Sequence, residues 1–254
     1  MRGHRIAAVA AVVLLPVAYS PADSPPFNAQ IELHGSATYN PDPDGIDLEP
    51  GDWDVDVTVG ATQSLIAMGP DGIVYTPGEL MGVTRVQHQH KRWVRFERTS
   101  GSAFAGFRLV ISNIQQIGFC AGFFATTPLN GEPSFGAYFR KPASGPDVDK
   151  VDLVTADGTE NVVRSQLMVS DNTPFDIVVQ LPGRNSHDNV TFWWKQGAGT
   201  WNPVDVSANV PSPLDDELRF SVRVFTDEDD GTSHTMTAQV FELRSPVLAG
   251  PTGN

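Results

Sequence analysis

Residues 117–127 read IGFCAGFFATT, and residues 135–141 read FGAYFRK. Both are short apolar runs, too brief for a helix of ordinary length and rich in aromatic residues, and both are bounded by turn-forming residues; this is how buried strands read. The same texture extends in both directions. No apolar period of 3.6 residues is held for three turns after residue 25, and alternating or short apolar runs recur between Gly, Pro, Asn and Asp. Strands are predicted at 29–39, 52–60, 72–76, 83–89, 92–99, 104–113, 117–127, 135–141, 150–156, 174–182, 189–196, 218–226 and 235–244. Turn signals such as NPDPDG, TADGTE, GRNSHDN and DEDDG separate them. Many short strands with no helices to cover a sheet require sheets that cover each other. The predicted fold is therefore all-β, an antiparallel β-sandwich of jelly-roll type.

The bulk numbers narrow the function classes. A chain of 254 residues can bury a sizeable core in one domain. Its 30 acidic and 17 basic residues give a formal net charge of -13, which argues against nucleic acid as a partner, because phosphate binding is driven by clustered Lys and Arg. The single cysteine, Cys120, excludes an internal disulfide and reads as a small buried apolar side chain. Residues 1–25 have the layout of a secretory signal peptide: a basic start, an apolar run from Ile6 broken by Pro16, then small residues and prolines. The alternative is an N-terminal arm. That run is too short to span a membrane. Residues 26–103 supply N-terminal strands that are part of the sandwich or packed on it, 104–244 form its core, and 245–254 read as a loose tail.

Four constellations carry candidate chemistry. In VQHQHKRWVRFER, residues 86–98, alternation puts His88 and His90 on one face, and two imidazoles alone do not make a metal site. The first reading is a solvent-facing polar strand face whose Arg side chains pair with the chain's excess carboxylates; the alternative is an exposed docking face of His88, His90, Arg92 and Arg98 for an acidic partner, with Trp93 packed inward and Arg95 and Glu97 at the rim. Asp42, Asp44 and Asp47 in one turn, and Asp227, Asp229 and Asp230 in another, place hard oxygen donors beside a glycine, an arrangement calcium favours; EF-hand spacing is absent, and the other reading is a solvated turn. Trp193, Trp194 and Trp201 in TFWWKQGAGTW could stack on sugar rings or serve an interface; neighbouring tryptophans in a strand face opposite sides, so one of Trp193 and Trp194 is core.

A catalytic set does not emerge. Asp52, Asp54 and Asp56 in DWDVDV share one strand face, but the Glu-x-Asp-x-x-Glu arrangement of sandwich-fold glucanases is missing. No Gly-x-Ser-x-Gly elbow, phosphate loop or dinucleotide fingerprint occurs. The expectation is a protein that is not an enzyme and has no cofactor beyond calcium.

Residues 104–244, with the closing run SPLDDELRFSVRVFTDEDDGTSHTMTAQVFELR as the most specific part, resemble the concanavalin/laminin-G-like sandwich modules of tailed-phage virion structural proteins. The resemblance implies a capsid-associated or decoration protein, located in the virion and partnered by other virion proteins or by copies of itself. The N-terminal segment and the tryptophans support a different reading, a secreted bacterial protein whose concanavalin-like sandwich binds glycans.

Overall fold

The computed structural model describes residues 53–57, 65–69, 72–76, 84–94, 102–125, 132–182, 189–211, 217–227, 232, 234, 236–244 and 248–249. Fifteen strands run in chain order: β1 (Trp53–Val57), β2 (Leu65–Gly69), β3 (Gly72–Thr76), β4 (Thr84–Val94), β5 (Ala103–Ile111), β6 (Ile117–Phe124), β7 (Phe135–Lys141), β8 (Lys150–Asp157), β9 (Glu160–Met168), β10 (Phe175–Leu181), β11 (Val190–Gln196), β12 (Asn202–Val206), β13 (Arg219–Thr226), β14 (Met236–Arg244) and β15 (Leu248–Ala249). They form two sheets whose strand pairs are all antiparallel. The first has the order β1-β4-β13-β6-β7-β8-β9 with β15 added beside β4; the second has the order β12-β11-β10-β5-β14-β3-β2.

Alternation divides each strand between two environments. In β5 the inward residues are Ala103, Ala105, Phe107, Leu109 and Ile111; in β6 they are Ile117, Phe119, Ala121 and Phe123; in β10 they are Phe175, Ile177, Val179 and Leu181. All of these belong to one buried core. Three aromatic contacts join the sheets across it. Phe107 stacks on Phe220 of the first sheet at 4.7 Å, Phe119 meets Phe175 at 6.0 Å, and Phe139 meets Phe192 edge-on at 5.2 Å. Each buried ring contributes about 1.5–3 kcal/mol by leaving water, and each aromatic pair adds about 0.5–1.5 kcal/mol.

The outward face of the first sheet is also covered. Cys120, Phe124, Tyr138, Ala143, Val154 and Phe225 form a second buried cluster, so all eight residues of β6 are buried. Beside it lies a polar group. Gln89 Nε2 donates to Ser221 Oγ at 2.9 Å, and Arg223 Nε donates to Gln87 Oε1 at 2.9 Å. Two glycines let β6 and β7 approach closely here. A Cβ on Gly122 would lie 2.5 Å from the Ala137 carbonyl oxygen and 2.8 Å from Tyr138 Cα, and one on Gly136 would lie 2.6 Å from Phe124 Cβ. The space they leave is where Phe124 and Tyr138 meet edge to face at 5.5 Å.

Lys141 ends β7 and is completely buried. Its ammonium donates to the carbonyl oxygens of Ile114 and Ile117, both at 2.6 Å, and of Pro142 at 2.8 Å, clamping the turn between β5 and β6. Burial pushes its pKa down to about 8, against the opposing pull of Asp171 and Asp149.

Several strands differ from the sequence reading. The stretches 83–89 and 92–99, read as two strands, contain one continuous strand, β4, because β1 and β13 pair along its two sides. β9 was not predicted: its residues alternate between exposed and more buried positions, and the exposed set (Glu160, Val162, Arg164, Gln166, Met168) dilutes the apolar signal. β2 and β12 are short additions at the ends of the second sheet. Leu248 and Ala249, read as part of a loose tail, pair with Val94 and Trp93. Strands from residues 53–94 enter both sheets, so this part of the chain is interleaved with the rest. The strand predicted at 29–39 lies outside the described residues.

Two measurements test these contacts. Gly122→Ala is expected to lower the free energy of unfolding by about 1–3 kcal/mol, because the backbone of β7 has to move to admit the methyl group; urea denaturation of the purified protein checks it. For Lys141, the unfolded chain holds its proton to higher pH than the folded one, so the folded state gains stability as pH rises from about 8 to 10.5. The stability difference between the parent protein and Lys141→Met is therefore expected to shift in favour of the parent across that window, and a difference independent of pH would contradict the assignment.

Candidate functional site

The outward face of the second sheet is unusual for a sandwich surface, where alternation normally leaves polar side chains. Phe104, Val178 and Trp193 form a separate buried cluster there, with Trp201 packed against it. The register explains their meeting. Trp193 of β11 lies opposite Val178 of β10 and Pro203 of β12, and Val178 lies opposite Gly106 of β5. Gly106 has no side chain at this point of the row. Trp193 Nε1 donates to Gln180 Oε1 at 3.1 Å, and Gln180 Nε2 donates to Ser102 Oγ at 3.3 Å. Trp201 is brought alongside by the β11–β12 hairpin. This turn contains Gly197 at φ +50°, and the Gly199 amide donates to the Gln196 carbonyl oxygen at 2.9 Å.

One row along the strands, charge replaces apolar surface. Lys195, Asp176 and Arg108 lie opposite one another on three adjacent strands. Arg108 donates from Nε and Nη2 to the two oxygens of Asp176, at 2.8 and 3.1 Å, while Lys195 Nζ lies 3.5 Å from the Asp176 carboxylate. The Asp176 side chain is only 2% exposed, against 26% for Arg108 and 14% for Lys195, so the carboxylate sits beneath its two cations. Its hydrogen bond raises the pKa of the Arg108 guanidinium. The Lys195 ammonium also lies over the Trp201 ring, 4.9 Å from its centroid, a cation–π contact that ties the charged row to the aromatic cluster.

The predicted tryptophan split is observed. Trp194 lies on the inward parity and packs against the main core from its edge, with its indole nitrogen buried and given no hydrogen-bond partner. Trp193 lies outward yet is only 5% exposed, so Trp201 and not Trp193 offers the half-exposed ring. The charged row was not anticipated. Arg108, Asp176 and Lys195 are far apart in sequence, and only the register of β5, β10 and β11 aligns them.

The other predicted positions fare differently. The register sets His88 opposite Val55 and Val222, and His90 opposite Trp53. Gln87 and Gln89 of β4 are buried, and the side chains of His88, His90, Arg92 and Trp93 lie outside the described residues. Arg95, Glu97 and Arg98 lie outside the described residues. Asp54 pairs with Arg219 at 3.6 Å, and Asp52 lies outside the described residues.

For calcium, Asp42, Asp44, Asp47, Asp229 and Asp230 also lie outside the described residues, and Asp227 accepts a hydrogen bond from Ser144 Oγ at 3.2 Å. No group of three or more His, Cys, Asp or Glu side chains able to hold a metal is found among the described residues. Cys120 is buried, and that burial pushes its thiol up to about 12, away from the range of a reactive thiolate.

No protein-family model and no curated protein matches the chain. Solved structures match it in shape. The metal-free lectin I-B4 from Griffonia simplicifolia superposes with a TM-score of 0.50 at 10% identity, covering 77% of this chain and 94% of the lectin. The Ca2+/Man3GlcNAc-bound exoplasmic/lumenal domain of VIP36 gives a TM-score of 0.49 at 9% identity, with 80% and 92% covered, and the carbohydrate recognition domain of Emp47p gives 0.49 at 15%, with 76% and 86% covered. At such identities the likeness is one of fold. The chain is an antiparallel β-sandwich of the lectin-like, concanavalin-like type, and these structures lend nothing to the virion half of the sequence resemblance.

Proposed function

We propose that this protein is a non-enzymatic carbohydrate-binding sandwich that works outside the cell and receives its glycan on the outward face of the second sheet. The observation that carries the reading is the half-exposed Trp201, set against the Phe104–Val178–Trp193 cluster and bordered by Gln180, Arg108 and Lys195. A sugar ring has an apolar C–H face and a rim of hydroxyls. An indole supplies a partner for the face, and amide, guanidinium and ammonium groups supply partners for the rim. The lectin from Griffonia simplicifolia, similar in fold, is a sugar-binding protein by its name.

The leader-like layout of residues 1–25 fits export. The virion reading, the first that the sequence resemblance implies, rests on a fold that is equally that of lectins, so it brings no partner or site of its own.

Glycan-array screening followed by calorimetry on the best ligand tests the proposal. Trp201→Ala is expected to weaken binding at least about tenfold, equivalent to about 1.4 kcal/mol, while leaving the unfolding midpoint within a few degrees. A folded Trp201→Ala variant that binds as tightly as the parent protein would remove Trp201 from the site.

A further inference from the structure

The charged row on this face is unbalanced in its hydrogen bonding, and that imbalance points to a class of ligand. Asp176 is engaged at both oxygens: one accepts from Arg108 Nε, the other accepts from Arg108 Nη2 and faces Lys195, and the side chain is almost completely buried. The cations are not saturated. Arg108 Nη1 donates to no protein group among the described residues, and the Lys195 ammonium has only a carboxylate oxygen at 3.5 Å and the Trp201 ring. Two positive charges therefore share one buried negative charge, and the capacity that reaches the surface in this row consists of donors. Their backbones stand two strand spacings apart, roughly 9–10 Å, on either side of Asp176.

The described carboxylate on β12 does not cancel this surplus. Asp205 is exposed, but it lies two rows away along the strands, roughly 13 Å off and beyond a screening length of about 8–10 Å, and it accepts a hydrogen bond from Thr191 Oγ1 at 2.7 Å.

Resting on the glycan-binding reading, we infer that the ligand is an acidic sugar, with an anionic group of the chain held by Arg108 and Lys195 and a neighbouring ring laid on Trp201. A uronate carboxylate and a sulfate ester share the required chemistry, a compact anion with several acceptor oxygens, and charge-assisted bonds to guanidinium and ammonium are about twice as strong as neutral ones. A neutral sugar would leave the extra positive charge without a counter-ion. The inference also accounts for a cationic surplus placed beside an aromatic surface in a chain whose formal net charge is -13.

The test uses the full chain and matched probes: β-1,4-linked mannuronate oligomers, the same oligomers after reduction of their carboxyl groups to alcohols, and sulfated and unsulfated chitin oligomers. Calorimetry is expected to show at least about tenfold tighter binding to an acidic member than to its neutral partner, and the pair that shows it tells carboxylate from sulfate. Lys195→Gln and Arg108→Gln are each expected to reduce that ratio severalfold. Because Arg108→Gln also removes two hydrogen bonds from buried Asp176, Lys195→Gln and the charge-preserving Arg108→Lys are measured beside it, with thermal unfolding as the check on folding. Equal affinity for acidic and neutral members would overturn the acidic-sugar inference and leave glycan binding standing. An acidic preference unchanged in folded Lys195→Gln and Arg108→Gln variants would overturn the assignment to this row. Absence of binding to every oligomer here and to every sugar on the array would overturn both readings.

Discussion

Three phenylalanine contacts between the sheets, Phe107 with Phe220, Phe119 with Phe175 and Phe139 with Phe192, fix the parity of every strand that carries them. Side chains alternate with a period of two, so placing Phe107 inward sends Phe104 and Arg108 outward, and placing Phe175 inward sends Asp176, Val178 and Gln180 outward. With Phe192 inward, Trp193 and Lys195 face outward as well. The candidate glycan face is thus a by-product of how the core is packed. A slip of one residue in β10 would bury Asp176 among the phenylalanines and dismantle the charged row in the same step.

The two outward faces solve different problems. On the first sheet Gln87, Gln89, Ser221 and Arg223 are buried beside Phe124 and Tyr138, and hydrogen bonds between β4 and β13 join Gln89 to Ser221 and Arg223 to Gln87 Oε1, while Gln87 Nε2 has no partner among the described residues. Such bonds add little net stability, yet leaving any one group unpaired would cost about 1–3 kcal/mol, which ties the register of these strands to the sequence. On the second sheet the buried polar group is a carboxylate whose two cations reach the surface. Their remaining donors stand beside the aromatic cluster at the surface, and this placement makes the second sheet the functional candidate.

Lys141 performs a related task at the edge of the core. A turn between β5 and β6 leaves backbone carbonyls pointing into the protein, and three of the local carbonyls, those of Ile114, Ile117 and Pro142, meet one ammonium. A buried lysine is expensive to desolvate, and it is tolerated here because each of its three donors has an acceptor.

Local sequence determined the class of structure. The short apolar runs of IGFCAGFF and FGAYFRK, with turn residues between such runs, admit only strands that cover one another, so the all-β sandwich was legible from period and punctuation. The division of Trp193 and Trp194 between two faces was legible for the same reason, since adjacent residues in a strand cannot share a side. The edge strand β9 escaped because its exposed residues are mostly polar, and β4 was split in two because nothing local shows that β1 and β13 both pair along it. The row of Lys195, Asp176 and Arg108 belonged to the tertiary structure alone. Alternation says which residues share a face but not which face is inward, and it cannot align residues on different strands. Those choices are made by registers between segments distant in sequence, where the burial of phenylalanine outweighs every local preference.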